Sequence, residues 1–202
     1  MTVAKGKAWG WSSALPPDGV VVADDGTARR ALETARLDGR PWPVLGLLGG
    51  DLCRTLGGRG DVERLRSPEA VTFPVDLGEA LLDGRLHLFV AHVLAHDRLW
   101  ARVVAAMNAQ WRGAWNLGPR AHPNDGLLDV YEARLRLTDV AKVRRRLHHG
   151  AHLPHPRVKE RRVPSVQVEL GRSMAVELDG EGVGKARRLS LRVVPDALRV
   201  VV

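Results

Sequence analysis

The chain has 202 residues, 45% of them hydrophobic and 27% charged, with a net charge of +8. That length holds one large domain or two small ones, each with its own core. No apolar run reaches the roughly 20 residues of a membrane span, MTVAKGKAWGW at the N-terminus lacks the apolar stretch of a signal peptide, and Cys53 is the single cysteine. We therefore expect a cytoplasmic protein without internal disulfides. The positive charge has two readings, a GC-rich codon bias toward arginine or an anionic partner such as a nucleotide, an acidic lipid surface or a nucleic acid.

Residues 1–15 show weak periodicity, and Pro16-Pro17-Asp18-Gly19 is a turn cluster. Val20 to Ala23 is a short apolar run of the kind found in buried parallel strands. Thr27 is placed to cap a helix whose apolar face is Ala28, Ala31, Leu32 and Ala35, and Gly39 stops it. Val44 to Leu48 is a second buried strand, followed by the turn Gly49-Gly50-Asp51 and a short helix from Leu52 to Leu56. Strand–helix–strand–helix order marks a parallel α/β unit.

The pattern changes near residue 70. Phe73, Val75 and Leu77 alternate with polar or small residues, and Asp83-Gly84 is a two-residue hairpin signal. Strand-like runs follow at Leu86 to Val93, Ala101 to Met107 and Leu127 to Leu137. A helix over 139–149, capped by Thr138 or Asp139, turns Val140, Val143 and Leu147 inward. Four more strands fall at Val163 to Leu170, Ala175 to Leu178, Leu189 to Val193 and Leu198 to Val202. Short strands separated by Gly and Asp turns indicate an antiparallel sandwich or barrel. The fold class is α+β or α/β, with a small α/β nucleotide-type lobe over 1–70 and a larger β-sandwich lobe over 71–195. The last strand, 196–202, is free to return to the first lobe.

Several clusters carry chemistry. In Asp24-Asp25-Gly26-Thr27, Gly26 would let a phosphate approach the backbone and Asp25 would hold a magnesium-nucleotide; a plain helix cap accounts for the same residues. Gly49 and Gly50, with Arg54 one turn into the next helix, repeat that geometry at the same sheet edge and suggest a ligand crevice. Asp125-Gly126 and Asp179-Gly180-Glu181 read as ordinary turns before or between strands. His148, His149, His152 and His155 lack a zinc spacing and a cysteine partner. Lys142, Arg144, Arg145 and Arg146 form a solvated helix face or one that meets an acidic membrane. Trp9, Trp11, Trp111 and Trp115 read as core, interface or membrane-edge residues. They do not alternate with basic residues as a single-strand binder would require, so nucleic acid is not favoured.

Taken in order, these pieces resemble the bacterial diacylglycerol kinase and sphingosine kinase catalytic-domain family, with its NAD kinase-like two-lobed fold. VVVADDGT at 20–27 and ARRALETARLDG at 28–39 stand where that family has a strand, GGDGT and a helix. VLGLLGGDLCRTLGG at 44–58 is similar to its strand and phosphate-side loop. VDLG at 75–78, Phe89-Val90, the Asn-centred loop within 105–130, GAHLPHPRV at 150–158, Asp179-Gly180-Glu181 and PDALRVVV at 195–202 follow in the family's order.

The resemblance implies ATP-dependent, Mg2+-assisted phosphorylation of a diacylglycerol-like lipid hydroxyl in a cleft between the lobes. On it, Glu181 is the base, Asp179 precedes it in the same motif, and Asp76 belongs to the active-site charge network. Asp25, Gly26 and Thr27 match the nucleotide loop, and Asp125 with the Leu127 carbonyl matches a structural metal site. The His-Pro segment becomes a fold signature.

The departures lie on the nucleotide side. Ala23 and Asp24 replace two glycines, which adds a negative charge where the triphosphate would lie. The family's GTGN is shortened to Gly49-Gly50, His122 stands near Asp125 where a carboxylate suits the metal, and nineteen residues precede Val20, where the family has several strands and helices. A lobe truncated in this way would leave a sheet edge open, so we expect a homo-oligomer or a partner to cover it. The competing reading is a non-catalytic module that binds lipid or phosphate in the same cleft.

Overall fold

The structure, a computed structural model, describes residues 9–202. The reading of the N-terminus as free of a signal peptide falls mostly on residues 1–8, which lie outside the described residues.

Trp11–Ser12 (β1) pairs with Thr72 and Val71. Val20–Val22 (β2) and Leu45–Leu47 (β3) form the parallel pair that their apolar runs predict, from Val20 opposite Leu45 to Val22 opposite Leu47. Asp25–Leu37 (α1) connects them and buries Ala28, Leu32 and Ala35. Its cap is Asp24 rather than Thr27. Asp24 has extended backbone and its carboxylate accepts from the Thr27 N–H at 2.7 Å, so Thr27 lies inside the first turn. Gly39, at φ +64°, follows the helix end as expected. Gly50–Thr55 (α2) follows β3, and Val62–Leu65 (α3), which has no periodic signature, tucks Leu65 against Leu15 and Val201.

Val71–Leu82 (β4) and Arg85–Phe89 (β5) form the hairpin at Asp83-Gly84, where both turn residues have positive φ as a primed turn requires. His92–His96 (β6), Arg102–Met107 (β7) and Leu128–Arg134 (β8) run antiparallel beside one another. Leu137–Leu147 (α4) begins earlier than expected, with Arg136 at the cap position and no side-chain cap; Thr138 and Asp139 lie within its first turn. Val158–Val163 (β9) is a strand whose charged sequence, VKERRV, hides it from hydrophobic periodicity.

Ser165–Leu178 (β10) and Glu181–Val201 (β11) each join two runs that the sequence separates. Gly171 and Pro195-Asp196 look like strand ends, but pairing resumes beyond each of them. Register shifts between Glu169 and Met174 and between Val194 and Leu198 mark them as bulges.

The strands form one hydrogen-bonded sheet in the order β1-β4-β11-β10-β6-β7-β8-β9, with β5 on β4, β3 on β11 and β2 on β3. The last turn of the chain ties the two halves together: Val200 and Val201 lie parallel to Leu45 and Gly46 while also pairing antiparallel with β4. Among the described residues, β2 has a partner strand on one side only. One apolar core fills the sandwich around Phe89, Leu128, Leu178 and Leu191, and a second packs α1 against β2, β3, Leu77 and Val200. A third lies under α4, between Val143 and Leu147 and the β6–β8 surface.

Candidate functional site

Three turns meet at the junction of the two cores. Asp24–Gly26 leaves β2, Gly50–Asp51 leaves β3, and Asp179–Glu181 joins β10 to β11; together they line a cleft of about 260 Å3. The two acidic turns therefore face one cleft, and Arg29 of α1, 152 positions from Glu181, donates to its carboxylate. Gly26 is required by this approach, because a Cβ there would lie 2.7 Å from the Glu181 carboxylate. Gly50, at φ +95°, is required twice over: its conformation disfavours a side chain, and a Cβ would lie 2.5 Å from Asp25 Oδ1.

The carboxylates differ in environment. Asp25 is buried and turned away from the opening, onto α2, whose Asp51 and Leu52 N–H groups donate to it. Burial pushes its pKa up to about 7, reinforced by the charge of Asp179. Asp179 is also buried, at φ +52°, and accepts from the Val90, Ala91 and His92 N–H groups at 3.0, 2.8 and 3.1 Å. It clamps the corner between β5 and β6, and burial outweighs those bonds to hold its pKa above the usual carboxylate range.

Asp51 is partly buried, its side chain 17% exposed. Burial raises its pKa, but a hydrogen bond from His92, whose Nε2 lies 2.9 Å away, and the imidazole's charge bring it below the ordinary value. Glu181 is reached by the guanidinium groups of Arg29 and Arg30, and the Arg30 hydrogen bond first, then both charges, keep it ionised. Arg30 also donates to the Thr27 hydroxyl at 3.0 Å.

A second acidic group lies on the sandwich flank. Asp76 is fully buried and accepts from the Gly126 N–H at 2.7 Å and the Asp196 N–H at 2.9 Å, and burial raises its pKa to about 6. Arg162 donates through Nη2 to Asp125 and through Nε to Asp129, the latter at 2.7 Å. Asn108 links Asp76 to the cleft, donating to the Asp76 carbonyl at 3.0 Å and the Val90 carbonyl at 2.8 Å. Val90 in turn donates to Asp179.

An apolar cavity of about 70 Å3 lies between α4 and the sheet, lined by Leu94, Tyr131, Val143, Leu147 and their neighbours, with Arg144 at its wall. One strand, β6, runs from behind the cleft wall to the cavity. Side chains alternate along a strand, so His92 and Leu94 of β6 share a face about 7 Å apart. His92 meets Asp51 in the cleft and Leu94 lines the cavity.

Residues 69–202 match the family described as the YegS C-terminal NAD kinase beta sandwich-like domain. The chain belongs to this family. The match spans β4 to β11, and so covers the Asp179–Glu181 turn, the Asp76–Arg162 flank and the apolar cavity. A solved diacylglycerol kinase from Bacillus anthracis str. Sterne superposes with a TM-score of 0.60 at 17% identity, covering 91% of this chain and 75% of that one. A second structure from that organism, described as a candidate diacylglycerol kinase, gives 0.65 at 16% identity and covers 91% of this chain and 77% of that one. These likenesses extend the shared fold beyond the YegS-type sandwich into the α/β part. No curated protein matches the sequence.

The structure gathers Asp25, Gly26, Gly50, Asp179 and Glu181 at the cleft, while Thr27 stands beside it in the first turn of α1. Gly49 packs against the Ala23 carbonyl behind it. Arg54 is directed elsewhere: it donates to the Gly113 carbonyl at 2.8 Å and stacks over Trp111 at 3.5 Å. Asp76 reaches the cleft only through Asn108. Leu127 donates its N–H to Asp125, whose other oxygen is held by Arg162, so a guanidinium already lies where the sandwich metal is expected. Asp125 and Leu127 therefore do not fit a metal here. Sequence reasoning passed over Asp51, His92, Arg29 and Arg30. His92 carried one legible sign, a polar residue directly before the apolar run Val93-Leu94-Ala95.

Proposed function

We propose that this chain transfers a phosphoryl group from a nucleotide to the hydroxyl of an acyl-bearing, diacylglycerol-like lipid. The observation that carries this reading is the convergence of the Asp25 loop and the Asp179–Glu181 turn on one cleft, with an apolar cavity lined by Leu94 of β6, the strand whose His92 meets Asp51 of the cleft wall. A polar reaction site beside an apolar cavity suits a substrate with a polar head and a hydrocarbon tail.

The donor set suits a magnesium-nucleotide. Asp24, Asp51 and Glu181 offer hard oxygen ligands, but among the described residues no group of three is placed to cage a metal alone. Mg2+ that accompanies a nucleotide needs only one or two carboxylates besides the phosphates. When bound, the ion would neutralise phosphate charge. Arg29 and Arg30 place two further positive charges at the start of α1 and offset Asp24. Glu181, kept ionised by them, orients the acceptor hydroxyl and takes its proton as the new bond to phosphorus forms and the bond from phosphorus to the departing nucleoside diphosphate breaks. Asp179 holds the β5–β6 corner beneath it, and the Asp51–His92 pair fixes the opposite wall.

Incubating the purified chain with labelled ATP, Mg2+ and mixed lipids should yield labelled phospholipid, and Glu181→Gln should remove that product while the protein stays folded, its melting temperature lowered only by the loss of the two arginine ion pairs. Undiminished turnover in Glu181→Gln would take Glu181 out of the mechanism. A second reading, a lipid-binding module without turnover, is favoured by the double arginine hold on Glu181 and by Asp24 capping α1. It predicts no heat of ATP binding in calorimetry together with a melting temperature raised by diacylglycerol.

A further inference from the structure

The positive charge of this chain is segregated. Residues 134–162 carry ten basic and two acidic side chains, a net of +8 that equals the net charge of the whole chain. The other 173 residues balance, with 21 basic against 21 acidic. A codon bias toward arginine would spread the excess along the sequence, so it does not explain this.

The structure brings that segment to one side of the fold. It comprises the end of β8, all of α4 and the edge strand β9, which is hydrogen-bonded to β8. Arg161 and Arg162 pair with carboxylates on β8 and the adjoining turn. Lys142, Arg145 and Arg146 on α4 are exposed, and none pairs with a carboxylate among the described residues. Two large apolar side chains stand out at the N-terminal end of the same helix: Leu137 is 61% exposed and Leu99 is 59% exposed. The loop bearing Leu99 is held to the approach of α4 by the Leu135 N–H, which donates to the Ala101 carbonyl at 2.7 Å. The buried face of α4, Val143 and Leu147, walls the apolar cavity.

We propose that this face docks on a bilayer of anionic lipids. Lys142, Arg145 and Arg146 meet the lipid phosphates, and Leu99 and Leu137 enter the headgroup boundary, an arrangement of basic and apolar residues suited to an interface. Exposed leucines at one end of a helix whose other end carries unpaired arginines favour a bilayer over a nucleic acid, which offers charge without a hydrocarbon layer. The inference rests on the lipid reading only in giving the surface a purpose: the helix that meets the membrane also walls the cavity, so an acyl chain enters close to where it is extracted. Docking itself requires neither nucleotide nor turnover.

The test is co-sedimentation of the full chain with phosphatidylcholine vesicles with or without phosphatidylglycerol, and with no diacylglycerol or ATP present. Binding should require the anionic lipid and be lost in high salt. The triple variant Lys142→Ala/Arg145→Ala/Arg146→Ala should lower the partition coefficient about 100-fold, at the usual worth of each basic residue near an anionic surface. Lys185→Ala/Arg187→Ala/Arg188→Ala, exposed on β11, removes equal charge elsewhere and should bind as the parent does. Leu99→Ser/Leu137→Ser should weaken binding in a way that low salt does not restore. Circular dichroism checks that each variant is folded. Equal loss in both charge variants, no binding to anionic vesicles, or retention on duplex DNA without vesicle binding would each overturn the proposal. A chain that docks but forms no phospholipid would fail the kinase reading alone.

Discussion

The cleft and the sandwich flank are both acidic, yet they treat charge in opposite ways. On the flank, Asp125 and Asp129 converge on the guanidinium of Arg162, so the protein supplies its own cation and the space is filled. At the cleft, Asp25 and Asp179 are satisfied by backbone N–H groups, and the arginines reach only Glu181 at the rim. Backbone donors sit at the walls and leave the centre free, whereas a long cationic side chain closes it. The comparison separates a structural acidic cluster from one able to admit a ligand, a distinction that counting carboxylates would miss.

The largest effect that tests this comparison is loss of a wall. Asp179→Ala removes the acceptor from three buried N–H groups at the β5–β6 corner, each costing about 1–3 kcal/mol when unsatisfied. Urea denaturation should show a loss of roughly 4 kcal/mol after partial relaxation. A loss below about 1 kcal/mol would mean that water replaces the carboxylate and the corner is not clamped.

The pH dependence comes next. Folded Asp25 keeps its proton up to about pH 7, whereas the unfolded chain releases it near 3.8. Between those values the folded state binds more protons, so its stability falls as pH rises through the window. Asp51 and Glu181, whose pKa values are depressed, contribute stability that is present above the ordinary carboxylate range and is lost as pH falls below it. Melting temperature should therefore peak in mildly acid solution, and Asp25→Asn should flatten the decline toward neutrality. An unchanged decline in that variant would place its origin elsewhere, Asp76 being the next candidate because its pKa rises to about 6.

Arg162→Met should give a smaller change. It leaves Asp125 and the buried Asp129 without a cation. Breaking a buried pair costs about 3–5 kcal/mol, which partial exposure of Arg162 reduces to about 2. If the flank is an acidic site closed only by Arg162, millimolar Mg2+ should raise the melting temperature of the variant and not that of the parent. A parent protein stabilised by Mg2+ at this flank would remove the contrast between the two regions.

How much of this was legible in the sequence follows from the physics of each element. The β2–α1–β3 unit announces itself because buried parallel strands need unbroken apolar runs and helix ends need Asp, Thr or Gly. β9 does not, because an edge strand exposed on both faces can be built from Lys, Glu and Arg. Gly171 and Pro195-Asp196 were misleading because the residues that end strands also make bulges. At the site, Glu181 and Asp25 were found because they lie in turns with glycine. His92 and Asp51 escaped because a buried His–Asp pair is a long-range contact between residues 41 apart, with no local pattern. Arg29 and Arg30 carry no local signal, because the carboxylate they reach lies on β11, near the other end of the chain.

The smallest effect on stability gives the sharpest test of the cleft. Gly26 is inside α1 and does not have a positive φ, so by helix propensity alone Gly26→Ala should stabilise the helix by up to about 1 kcal/mol. The obstacle is a single neighbour: the new Cβ would lie 2.7 Å from the Glu181 carboxylate, the far end of a flexible and partly exposed side chain. Glu181 can swing away at little cost to folding, but not without leaving Arg29 and Arg30. The variant should therefore melt at or above the parent's temperature while phospholipid formation falls by at least tenfold. Loss of stability together with activity would mean that glycine serves the packing of α1. Full activity with a higher melting temperature would mean that the Glu181 position seen here is not the working one, and that the cleft, unlike the flank, is organised around its ligand and not around its own arginines.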